Sequence, residues 1–97
     1  MNSSIAIYPS VQWRQQTVLW SDYLEKAGKY GFREVFSSIH LPELALKDQV
    51  EMLEELARTA NHLGMELTVD IGGGEIGQLL ADSQMCARVR SAGIGLL

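Results

Sequence analysis

Cysteine is nearly missing from this sequence: Cys86 stands alone, which excludes a disulfide framework and a thiolate metal cluster. We read it as apolar filler on a helix. Basic residues are scarce too, with eight Lys and Arg against twelve Asp and Glu and a net charge of -4. No cationic stripe exists to pair with phosphates, so a nucleic-acid partner is not expected. No apolar run approaches the ~20 residues that span a bilayer, which excludes a membrane partner. The start, Met1-Asn2-Ser3-Ser4, lacks the basic residues and apolar core of a signal peptide, and a cytoplasmic address is the expectation. Only two histidines are present, His40 and His62; no metal site and no cofactor are expected. What remains is 97 residues, 46% of them apolar, enough for one domain over 1–97 and no more.

The chain is organised around Leu67-Thr68-Val69-Asp70-Ile71-Gly72-Gly73-Gly74. Leu67, Val69 and Ile71 alternate with Thr68 and Asp70, the period-2 pattern of a strand with one apolar face. Leu67, Val69 and Ile71 claim the helix-facing side, so Asp70 is predicted at the strand-end rim. A carboxylate at a strand's carboxyl end, beside a loop almost without side chains, is where α/β proteins place ligands.

Ahead of this stretch, Ile5-Ala6-Ile7-Tyr8 reads as a first strand stopped by Pro9, which cannot donate to a ladder. Trp13 is placed as a lid over the first helix. From Thr17 the spacing becomes helical, with Trp20, Tyr23, Leu24, Ala27 and Tyr30 on one face. Phe32 to Ile39 is the second strand, and Leu41-Pro42-Glu43 turns the chain. A second helix runs from about Leu44 to Leu63, burying Leu46, Val50, Leu53, Ala57 and Ala60; Glu54 and Arg58 form an i,i+4 pair. His62, in its last turn, reads as structural. After the glycines, Ile76, Leu79 and Leu80 begin a weaker helix. Ser83 is expected to cap a second piece holding Met85 and Val89, and Ile94-Gly95-Leu96-Leu97 starts a fourth strand.

Three glycines mark a repeat. Gly31, Gly64 and Gly93 each follow a helix end and precede the first apolar residue of a strand, roughly 30 residues apart, the length of a βα unit. Each suits the left-handed residue that closes a helix. The order is therefore βαβαβαβ with parallel, sequentially adjacent strands. Counting from the glycines sets Ser37 opposite Asp70, with Tyr8 completing the row. The candidate ligand rim is Tyr8, Ser37, Ser38 and Asp70, with His40 behind it and Gly72 and Gly73 offering backbone N–H groups to a phosphate or sugar. Gly72, Gly74 and Gly77 also match G-x-G-x-x-G, which opens a flavodoxin-like nucleotide-binding alternative over Gly72–Gly77. Against that alternative, the fingerprint belongs on a first strand.

Ile7-Tyr8-Pro9, Lys29-Tyr30-Gly31-Phe32-Arg33-Glu34-Val35-Phe36-Ser37-Ser38, His62-Leu63-Gly64-Met65-Glu66, Val69-Asp70 and Gly93-Ile94 together resemble the start of the MupG-type 6-phospho-N-acetylmuramidases. The resemblance implies a TIM barrel, a (β/α)8 fold, of which residues 1–97 would be the N-terminal part: about three and a half βα units, truncated at the fourth strand. It implies a glycosidase acting on a phosphorylated amino-sugar glycoside during bacterial cell-wall recycling, with Asp70 as the catalytic carboxyl. Gly72-Gly73-Gly74 departs from the Ser-Pro type turn usual in the family, and the chain stops where the family commonly has another aspartate. A fragment of this size is expected to be inactive alone unless Glu75 serves as the second carboxyl. The alternative from another class is a non-catalytic assembly or ligand-binding α/β unit. An open layer would expose Ile5, Ile7, Ile94, Leu96 and Leu97 on its edges and Ala6, Val35 and Thr68 on its bare face. Pairing with a second copy, as a homo-oligomer, or with the remainder of a barrel is therefore expected.

Overall fold

A computed structural model describes residues 4–39, 41–71 and 73–96, with side-chain environments for all of these except residues 39, 71 and 73–76. His40, Gly72 and Leu97 lie outside the described residues, as do the side chains of Ile71, Glu75 and Ile76. The elements follow in the order β1 (Ser4–Ala6), α1 (Thr17–Lys29), β2 (Glu34–Ile39), α2 (Leu46–His62), β3 (Glu66–Ile71), α3 (Gly73–Ala81), α4 (Ser83–Ser91) and β4 (Gly95–Leu96). The strands form one parallel four-stranded sheet in the order β1-β2-β3-β4. Because the order never reverses, right-handed crossovers lay every helix on one face. A flavodoxin-like sheet needs such a reversal to create its nucleotide crevice, so the flavodoxin-like alternative is overturned.

The three glycines close their helices in the same way. Gly31, Gly64 and Gly93 have φ of 95°, 76° and 76°. After each, the next residue's N–H reaches back to a carbonyl near the helix end: Phe32 to Ala27, Met65 to Ala60 and Ile94 to Val89, at 3.2, 2.9 and 3.4 Å. Each glycine also donates to the carbonyl three residues before it, completing a Schellman motif. A side chain at these φ values would press its Cβ on the carbonyl that follows. The repeated turn therefore aims each chain segment back into the sheet at the same angle.

Leu24, Met52, Leu56, Met65, Leu67 and Leu79 are fully buried between the helices and the sheet, each worth roughly 1.5–3 kcal/mol over exposure. Truncating Leu56 to alanine would leave a cavity costing about 2–5 kcal/mol. On α1 the buried face is Trp20, Leu24 and Ala27. Tyr23 and Tyr30, expected beside them, are 47% and 86% exposed, because α1 flanks the edge strand and nothing described packs beyond it. Trp13 does cover α1: it is buried and stacks on Trp20 with ring centroids 6.0 Å apart. Arg14 lies 4.4 Å over the Trp13 ring and reaches Glu51 on α2 at 3.1 Å, fastening the segment after β1 to its neighbour. The cap of α4 is Asp82 rather than Ser83; its carboxylate accepts from the Met85 N–H at 3.0 Å. Arg58 pairs with Glu55, leaving Glu54 to bind Arg88 and join α2 to α4.

Candidate active site

Strand register decides which side chains share a face. β2 and β3 pair Glu34 with Glu66, Phe36 with Thr68 and Ser38 with Asp70; between these stand Val35 with Leu67 and Ser37 with Val69. Val35, Ser37, Leu67 and Val69 are buried beneath the helices. Ser38 and Asp70 are exposed on the opposite face, together with Ala6 of β1 and Gly95 of β4.

Two readings of the sequence are corrected here. Ser37 is not opposite Asp70: it is paired with Val69 and fully buried, and its Oγ has no hydrogen-bond partner among the described residues. Val35 likewise belongs to the helix-covered side rather than the bare face. The cause is one residue of chain. Two residues separate Gly31 from β2, whereas one separates Gly64 from β3, and a slip of one exchanges the two faces of a strand.

Of the expected rim residues, Ser38 is the one that stands beside Asp70, near the carboxyl ends of β2 and β3. Adjacent strands lie about 4.8 Å apart, so one polar ligand group can touch both side chains. Tyr8, 63% exposed, follows β1 at the same end. The Ile7 N–H donates to the Phe36 carbonyl at 3.0 Å, which carries the pairing one residue beyond β1 and brings Tyr8 toward this row. Helix α3 begins at Gly73, directly after β3, with the orphan N–H groups of its first turn at that same end. Gly74 and Gly77 thus sit within a helix rather than in a flexible loop. The segment after β2 is held in place by Gln49, whose buried amide donates to the Leu41 and Leu44 carbonyls at 3.0 and 2.9 Å. Sequence patterning gave no hint of that anchor.

Charge on the open face is arranged at its two ends. Asp70 lies at the carboxyl end, while Glu34 and Glu66 lie side by side at the other. Four residues of strand separate Glu66 from Asp70, about 13 Å, so neither glutamate can work with Asp70 on one glycosidic bond. Three more carboxylates belong to the Asp70 end by their place in the chain: Glu43, exposed in the segment after β2, Asp48, in the first turn of α2 and 3.8 Å from the Arg14 guanidinium, and Glu75, in the first turn of α3. Among the described residues, no three His, Cys, Asp or Glu side chains come together to hold a metal ion. Nor is any described helix long and apolar enough to cross a membrane.

Comparison with curated proteins and with solved structures gave no match. A family model did: the one described as 6-phospho-N-acetylmuramidase, N-terminal, matches residues 4–97. The chain belongs to that family.

Proposed function

We propose that this member of the 6-phospho-N-acetylmuramidase N-terminal family contributes the sugar-binding rim and one catalytic carboxyl of a glycosidase. The substrate class is a glycoside of 6-phospho-N-acetylmuramic acid, met in the bacterial cytoplasm during cell-wall recycling. The observation that supports this reading is the pairing of Ser38 with Asp70 at the carboxyl end of an open parallel sheet, the end at which (β/α)8 barrels build active sites. In this reading the four strands are part of such a barrel.

Asp70 supplies one of the two carboxyl groups that hydrolysis of a glycoside requires. Its partner must lie ~5–5.5 Å away for a covalent, retaining route or ~6.5–9.5 Å away for direct attack by water. Glu66 and Glu34 are too far along their strands, so the partner comes from Glu43, Asp48, Glu75 or another length of polypeptide. Ser38 and Tyr8 offer hydroxyls to the sugar, and the first-turn N–H groups of α3, starting at Gly73, suit the phosphate.

Among the described residues no second carboxyl stands in register beside Asp70, and the 97-residue chain by itself is expected not to turn over. The test is incubation of the purified chain with the phospho-muramyl disaccharide, followed by mass spectrometry of the products. We expect intact substrate. Turnover that Asp70→Asn abolishes would overturn the claim of incompleteness, and Glu43→Gln, Asp48→Asn and Glu75→Gln would then identify the second group.

A further inference from the structure

The turn after β2 is built to hold its tip still. The Leu44 N–H donates to the Leu41 carbonyl at 3.0 Å, closing a tight turn with Pro42 and Glu43 at its centre. Pro42 fixes its own φ at the first central position, where proline suits such turns. Leu41 and Leu44 are half-buried and pack against the core, while Pro42 and Glu43 are exposed. The feet of the turn are apolar and its tip is polar.

One side chain ties both feet. Ala45, at the start of α2, makes no side-chain cap. Gln49, one turn in, is 5% exposed and directs its amide N–H groups to the Leu41 and Leu44 carbonyls at 3.0 and 2.9 Å. Losing that donor would leave two carbonyls short of a partner at the base of the turn. The segment after β1 is fastened to the same helix start, because Arg14 reaches Glu51 at 3.1 Å and Asp48 at 3.8 Å. Those two carboxylates are engaged along α2, whereas Glu43 rides on the tip of the turn that follows the Ser38 strand. Helix α3 follows the Asp70 strand, so the turn lies on the β2 side of Asp70 and the first-turn N–H groups lie on the β3 side.

We propose, on the reading of this rim as the sugar site, that Gln49 is a positioning residue of that site. By locking the Leu41–Leu44 turn it holds Glu43 where the carboxylate accepts hydrogen bonds from sugar hydroxyls, on the side of Asp70 away from the phosphate. A carboxylate can accept from two hydroxyls at once. Carrying it on a tied turn removes the ordering that a loose loop would undergo on binding. This part of the rim is therefore formed before the ligand arrives.

A double-mutant cycle separates positioning from mere support. Binding of N-acetylmuramic acid 6-phosphate is measured by amide chemical-shift titration of the wild-type chain, Gln49→Met, Glu43→Gln and the double variant. Methionine keeps the length of the side chain and removes its donors. Gln49→Met and Glu43→Gln should each weaken binding at least about fivefold. The double variant should bind within about twofold of Glu43→Gln alone, because Gln49 acts through Glu43. An equal loss from Gln49→Met in both backgrounds would make Gln49 a purely structural part and overturn the proposal. Wild-type binding at the rim with unchanged affinity in either single variant would overturn it too, and would leave the sugar site standing. A wild-type chain with no shifts near Asp70 would overturn the sugar site and the proposal together. If circular dichroism shows Gln49→Met unfolded, Pro42→Gly takes its place in the cycle and is read by the same outcomes, since it loosens the exposed tip of the same turn.

Discussion

Replacing Ser37 with alanine should stabilise this protein. The hydroxyl is fully buried on the helix-covered side of β2 and has no hydrogen-bond partner among the described residues. Burying such a group without a partner costs about 1–3 kcal/mol. Alanine keeps the Cβ and removes the oxygen, and the small void left behind takes back part of the gain. A net gain of about 1 kcal/mol remains, which in a domain of this size raises Tm by roughly 4–8 °C. The assay is thermal unfolding of the two chains followed by circular dichroism, with the urea midpoint as an independent check. A fall in Tm of several degrees would mean that the hydroxyl is satisfied in the native state. The register that hides Ser37 and presents Ser38 would then be wrong.

Two glycines should respond to alanine with opposite signs. Gly64→Ala meets no atom within 4 Å but must hold φ at 76°, a backbone cost of about 1–2 kcal/mol. Gly28→Ala, inside α1 and equally unobstructed, should gain about 0.5–1 kcal/mol of helix stability; urea unfolding reads both, and equal signs would contradict the turn geometry. Acid should loosen the packing of α2 on α4. The Arg88 guanidinium hydrogen-bonded to Glu54 holds that carboxyl below its ordinary range against the opposing effect of burial. A depressed carboxyl contributes stability that is present above its unfolded-state value, about pH 4.3, and is lost as pH falls through the lower folded value. Glu54→Gln should therefore flatten the decline of stability with acid in that window, and an unchanged slope would assign it to other groups.

Much of the architecture was legible because a few residues have one physical use. Gly31, Gly64 and Gly93 adopt positive φ, as residues that close a helix do, and their spacing fixes the βα repeat before any strand is examined. The alternation in β3 is equally direct, since Leu67 and Val69 are buried and Asp70 is exposed. Register was less accessible. The extra residue between Gly31 and β2 costs nothing in composition, yet it moves Ser37 to the core and Ser38 to the rim. The start of α3 was hidden for another reason. Consecutive glycines are poor helix formers, but the helix begins at Gly73 all the same, and burial of Leu79 helps hold it. Tyr23 and Tyr30 fit the apolar stripe of α1 by spacing, and spacing does not say whether a neighbour exists to cover them. The buried amide of Gln49 left no trace in periodicity, because its partners are loop carbonyls.

The placement of the rim is tested most directly by an amide chemical-shift titration of the labelled chain with N-acetylmuramic acid 6-phosphate. Binding to the rim is expected to be weak, with a Kd of about 1 mM, or about -4 kcal/mol. The shifts should gather at Tyr8, Ser38, Asp70 and the first turn of α3, and Asp70→Asn should weaken them. Shifts centred instead between α2 and α4, around Arg58, His62 and Arg88, or none at all near Asp70, would contradict the rim as the sugar site.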